Sequence, residues 1–150
     1  MSTTTPGQKA IFSKILVAIA GSDASVDAAD CAISISKGYN AELYALHVIR
    51  ADVDLFGPHE TSEFMTRMRN EGEKYLNKVK LNANEKNIQI KTEMISSINI
   101  AGGIVDYAEE NNIDLIIIGT RGRSGFKKLL LGSVASHVVT YAHCPVLVVK

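Results

Sequence analysis

Glycines stand at 119, 122, 125 and 132 in the stretch GTRGRSGFKKLLLGS, residues 119 to 133, and four cations, Arg121, Arg123, Lys127 and Lys128, lie between them. A glycine lets the backbone approach a ligand where a Cβ would block it. Gly132-Ser133 opens an apolar helical pattern, and the first N–H groups of a helix have no partner within it. A phosphate placed there meets those donors and the positive end of the macrodipole, with the Ser133 hydroxyl as one donor more. The stretch therefore describes an anion site with local positive charge, although Lys127 and Lys128 fit a solvated loop equally well. Neither GxxxxGK[ST] nor GxGxxG can be laid on this register, so the usual NTPase and dinucleotide fingerprints are excluded.

Other chemistry finds little footing. Ser22, Ser25 and Ser124 lack a histidine and an acid arranged around them, which argues against a serine hydrolase. His47, His59, His137 and His143 are scattered, and Cys31 and Cys144 form no CxxC pair, so neither a zinc site nor a redox motif is indicated. Asp23 reads as a helix-start residue before it reads as a Mg2+ ligand. No base is poised by an orienting partner, so the residues give no case for phosphoryl transfer as an evolved turnover reaction and the chain reads as a binding module.

The whole-chain properties bound the answer further. With 150 residues, 46% of them hydrophobic, the chain suits one domain able to bury a core without staples. Its 16 basic and 16 acidic residues cancel, so no overall field draws it to nucleic acid or an anionic membrane. Residues 1–13 read as a flexible lead-in without the apolar segment of a secretory signal, and 14–150 as the domain. No apolar run approaches the roughly 20 residues that span a bilayer. Two cysteines acting as small hydrophobes suit a reducing, cytoplasmic setting.

The elements that must position the glycine stretch follow from periodicity. Continuous apolar runs at 14–20, 42–49, 113–118 and 145–149 read as buried strands, and the alternation at 88–95 as a strand with one wet face or at an edge. Between them lie helical patterns: Ala28, Cys31, Ala32 and Ile35, ended by Gly38 and started by Ser22 or Asp23; Phe64, Met68, Tyr75 and Val79, weakened by Gly72; Ile100, Ile104, Tyr107 and Ala108; and Val134, Val138, Tyr141 and Ala142. Met65 and Met68 read as core filler. Strict alternation of strand and helix requires right-handed crossovers, hence a doubly wound parallel α/β sheet with helices on both faces. Ligands of such sheets sit beyond the carboxyl ends of the strands where the order reverses, which singles out the loops after the first and fourth strands.

The spacing Gly-x2-Gly-x9-Gly-Ser at Gly119, Gly122, Gly132 and Ser133 resembles the nucleotide-binding signature of the universal stress protein family. The resemblance runs through KILVAIAGSDAS, LHVI, DLIIIGTRGRSGFKKLLLGSVASHVV and CPVLVVK, nearly the whole chain. It implies a Rossmann-like, five-stranded parallel sheet in the order 3-2-1-4-5, a homodimer, and ATP or AMP as bound ligand, with Mg2+ where a polyphosphate is held. By matching position, Ala18 and Val48 would line the adenine pocket, and Ile118 and Gly119 would lie along the nucleoside. Gly122, Gly132, Ser133 and Val134 would hold ribose and phosphates, with Ala20, Gly21 and Ser22 of the first turn and Thr120 and Arg121 of the loop completing the set.

One departure stands out. Where the family's first strand commonly ends in Asp-Gly-Ser, this chain has Ala20-Gly21-Ser22. Loss of that side-chain hydrogen bond is expected to cost about 1–3 kcal/mol, or roughly ten- to a hundredfold in affinity. Two alternatives to a nucleotide-regulated stress-response module thus stay open: a dimeric interaction protein that keeps the loop for structure, and a weak ATPase. The implied strand order also leaves Pro145 to Val149 at a sheet edge, where an apolar strand invites pairing with a second copy.

Overall fold

The computed structural model describes residues 11–51, 58–120 and 131–150, with side chains from 63 onward in the second segment. Five strands, β1 (Lys14–Ala18), β2 (Glu42–Arg50), β3 (Ile90–Ser97), β4 (Leu115–Gly119) and β5 (Val146–Val149), alternate with four helices, α1 (Asp23–Tyr39), α2 (Pro58–Glu85), α3 (Ile100–Glu110) and α4 (Ser133–Tyr141). The sheet is wholly parallel in the order β3-β2-β1-β4-β5. The order reverses between β2 and β4, on either side of β1, as the resemblance implies.

Alternation along the strands divides the core into two layers. Ile15, Val17, Leu43 and Ala45 pack under α1 and α2 with Ala28, Ala29, Ala32, Ile33, Leu76 and Val79. Leu16, Ala18, Leu46, Val48, Ile116 and Ile118 face α3 and α4, meeting Ala101, Ile104, Ala135 and Val138. β3 is an edge strand with exposed side chains along its length, as its alternating sequence predicts. At the amino end of the sheet the Asp114 carboxylate accepts from the Ser13 N–H at 2.9 Å, the Ser13 hydroxyl at 2.8 Å and the Lys14 N–H at 3.1 Å, which ties the start of β1 to β4.

Several boundaries and stripes differ from expectation. Gly38 lies inside α1, and the helix ends instead at Asn40, whose left-handed φ of 55° lets its N–H reach the Ser36 carbonyl. The buried stripe of α1 is Ala28, Ala29, Ala32 and Ile33, with Cys31 only half-buried, because small residues let the helix lie close on the sheet. In α4, Ala135 and Val138 face the core while Tyr141 is 65% exposed. Gly72 is no weakness in α2: a Cβ there would come within 2.6 Å of the His47 ring, so the gap makes room for a buried histidine. That histidine lies edge-on to Tyr75 of the same helix.

A candidate nucleotide cavity at the carboxyl end of the sheet

The turn after β1 is built to hold α1 close. Ser22 is the N-cap, its hydroxyl accepting from the Ser25 N–H at 3.2 Å while the Ser25 hydroxyl accepts from the Ser22 N–H at 3.1 Å. This reciprocal pair satisfies two donors at the start of α1 from within the chain. Gly21 has a φ of 78°, and a Cβ on it would overlap the Tyr75 ring. Its requirement for glycine is thus steric, set by α2 packing over the turn.

The glycine stretch leaves β4 at Gly119. A Cβ at that position would lie 2.8 Å from backbone and side-chain atoms of Ala24, so the approach of α1 to β4 is enough by itself to require this glycine. The Thr120 N–H donates to the Val149 carbonyl at 3.0 Å, and the Gly132 N–H donates to the Thr120 carbonyl at 2.7 Å. The two ends of the stretch are therefore joined, and α4 begins beside the end of β4. Arg121, Gly122, Arg123, Ser124, Lys127 and Lys128 lie outside the described residues. Gly132 is the N-cap of α4 and brings no side chain to close the first turn. Ser133 is the first helical residue.

A cavity of about 400 Å3 opens where these turns meet. Of the residues singled out in the sequence, Ala18, Ala20, Ser22, Val48, Ile118, Gly119, Thr120, Gly132, Ser133 and Val134 line it, whereas Gly21 does not. Its floor is apolar, formed by Ala18, Leu46, Val48, Ile104 and Ile118, and Ser133, Thr120 and Arg50 lie at its walls. Among the described lining residues there is no carboxylate, and Ala20, where an acid would otherwise face the cavity, is exposed. Arg50 supplies positive charge at the end of β2.

Sequence reasoning did not assign Arg50, Leu46, Ile104, Ser25 or Met68 to the site, yet all of them line the cavity. Leu46 could have been found from Val48, two residues on and on the same face of β2. Arg50 was visible as the first polar residue past an apolar strand. Met68 reads as filler on its helix, and only tertiary packing brings it to the cavity. His47 also lines it, but its Nδ1 lies 2.6 Å from the Ile19 carbonyl, so that nitrogen carries a proton. A Cβ on Gly72 would sit 3.1 Å from the other nitrogen, so the ring is wedged against α2.

An apolar floor with donors and an uncapped helix start on its walls suits a flat base attached to a phosphate. No group of three or more potential ligands that would hold a metal occurs among the described residues. No helix among them is long and apolar enough to cross a membrane.

Comparison with known proteins agrees with this fold. The universal stress protein family matches residues 12–150. Universal stress protein MJ0531 of Methanocaldococcus jannaschii is 43% identical, the match covering 93% of this chain and 83% of that one. Universal stress protein YxiE of Bacillus subtilis is 39% identical over 93% of this chain and all of its own. Among solved structures, the universal stress protein UspA from Lactobacillus plantarum superposes with a TM-score of 0.84 at 28% identity, covering 93% and 98% of the two chains. Two more distant structures share the fold: a universal stress protein in complex with cAMP, with a TM-score of 0.72, and one from Archaeoglobus fulgidus in complex with dAMP, at 0.71.

Proposed function

The chain belongs to the universal stress protein family, and from that premise we propose that it is an adenine-nucleotide-binding module of the stress response, taking ATP or AMP in the cavity at the carboxyl end of its sheet. The observation that carries the reading is the contrast between two helix starts beside one cavity: α1 is closed by its own Ser22–Ser25 pair, whereas α4 starts at Gly132 with no side-chain cap and with Ser133 on the cavity wall. A phosphate would complete the second. Ala18 and Val48 would pack against the base, Ile118 and Gly119 would run along the nucleoside, and Gly132, Ser133 and Val134 would receive ribose and phosphates, joined by Arg121 and Gly122. That relatives of the same fold were captured with cAMP and dAMP supports the class of ligand.

With no carboxylate among the described lining residues, Mg2+ would be held by the phosphates and water and not by the protein. No described group on the cavity wall is set to orient an attacking water, so the nucleotide would act as a ligand that shifts conformation or partner affinity. The module would work as a cytoplasmic homodimer joined through the edge strand Pro145 to Val149, where Leu147 is 37% exposed. A monomer in light scattering at micromolar concentration would sink the dimer.

The nucleotide reading is tested by thermal unfolding of nucleotide-stripped protein. ATP or AMP at a hundredfold excess over the dissociation constant should stabilise it by about 2.7 kcal/mol. An unchanged midpoint at millimolar concentrations of both would leave the alternative, an interaction protein that has lost nucleotide affinity with the carboxylate at position 20.

A further inference from the structure

A second cavity, of about 270 Å3, adjoins the first and shares Arg50, Ile100, Ser133 and Val134 with it. It lies between the starts of α3 and α4, and its remaining polar walls are Asn99 and His137. Asn99 is the N-cap of α3, and its Oδ1 accepts from the Gly102 N–H at 2.9 Å. Because that bond commits the oxygen to the helix, the amide presents its NH2 group, a donor, on the other side. His137 offers a ring N–H in either protonation state, Ser133 a hydroxyl and Arg50 a guanidinium. No carboxylate is found among the described residues of either cavity.

From this continuity we infer that the site takes a nucleotide with a second anionic group, set apart from its phosphate chain and seated in the side cavity. The inference rests on the nucleotide reading and narrows it to a class of ligand. A nucleotide with a single phosphate group seated in the main cavity would leave the donor-lined space beside it to water. A phosphate on another ribose hydroxyl would meet Arg50, the Asn99 amide and His137 at once, and charge-assisted bonds of that kind are the stronger sort. The residue at position 20 acts in the same direction. An aspartate would place a negative charge on the rim of the cavity, where alanine places none, so a chain with Ala20 tolerates more anionic charge in its ligand.

The test compares AMP with adenosine 3′,5′-bisphosphate by isothermal titration of the full chain, in wild type and in two variants that touch only the side cavity. Asn99→Asp keeps the capping oxygen but replaces the NH2 group with negative charge, and His137→Gln removes the imidazole. Wild type should bind the bisphosphate at least about tenfold more tightly than AMP. Asn99→Asp should erase that advantage and His137→Gln reduce it, with AMP affinity unchanged in both. If AMP binds and the bisphosphate binds no more tightly, or if its advantage survives Asn99→Asp, the inference is overturned while the nucleotide reading stands. If neither ligand binds the wild type, the nucleotide reading itself has failed and the inference falls with it.

Discussion

The two ends of the sheet each carry a depression, and they differ in every respect that matters for binding. At the carboxyl end lies the cavity of about 400 Å3 described above. At the amino end, where α1 and α2 finish and β2 and β3 begin, lies a groove of about 790 Å3 lined by Lys37, Lys80, Lys86 and Lys91 with several asparagines. The larger and more basic of the two looks at first like the better anion site. Yet the helix ends that face it are carboxyl ends, which present carbonyl oxygens and the negative pole of the macrodipole. Lysines there complement those helix ends, and Lys91 is further engaged with Glu42 at 4.0 Å and lies over the Tyr44 ring. In a parallel sheet the direction of the helices, and not the volume or the count of cations, decides which end can hold a phosphate.

Glycine substitutions should separate the two ends most sharply. At Gly21 an alanine would need a left-handed backbone and overlap the Tyr75 ring, so Gly21→Ala should lose at least about 2 kcal/mol in urea unfolding. Gly38, near the lysine groove, has nothing within 4 Å of its would-be Cβ and sits within α1, so Gly38→Ala should gain about 0.5–1 kcal/mol. Equal effects at both sites would erase the contrast.

Next in size is Ala20→Asp, which restores an acid on the cavity rim. It should tighten AMP binding by about tenfold in calorimetry. The same change should weaken any ligand with a second phosphate.

A smaller effect concerns the packing of α3 on the sheet. Burial, followed by the charge of and a hydrogen bond to Glu93, pushes the Tyr107 hydroxyl from 10.0 up to about 12. The folded state thus holds this proton more tightly than the unfolded one. Stability from this group should be complete below pH 10 and lost as pH rises through about 12. Tyr107→Phe should flatten that part of a stability–pH curve, and an unchanged slope would show that folding does not hold the Tyr107 proton more tightly.

The smallest change is expected at the groove. Lys80→Ala and Lys86→Ala should leave nucleotide affinity unaltered and stability within about 0.5 kcal/mol. A loss of affinity in either would move the site to the wrong end of the sheet.

The order of elements along the chain was legible because most strands are continuous apolar runs and the helices carry polar flanks, whereas the reversal of the sheet at β1 came from the family resemblance. The edge position of β3 could be read from its alternation. What escaped the sequence was set by neighbours distant along the chain. Gly119 owes its identity to Ala24, Gly21 to Tyr75 and Gly72 to His47, so three glycines that read as a ligand approach, a turn and a weak point are steric needs of packed elements. Arg50 could be read as the first polar residue after the apolar run of β2, but its place on the cavity wall could not, because a strand's end and the start of a loop look alike in sequence. Asn99 and His137 gave no signal at all, since only the meeting of α3 and α4 brings them together.

Hydrogen exchange of nucleotide-stripped protein with and without AMP tests the central claim most directly, because it reports both whether AMP binds and at which end. The account predicts slowed exchange at Gly119, Thr120 and the first turn of α4 from Ser133 to Ser136, with residues 84–91 of the lysine groove unchanged. Protection confined to 84–91, or none anywhere at saturating AMP, would contradict it.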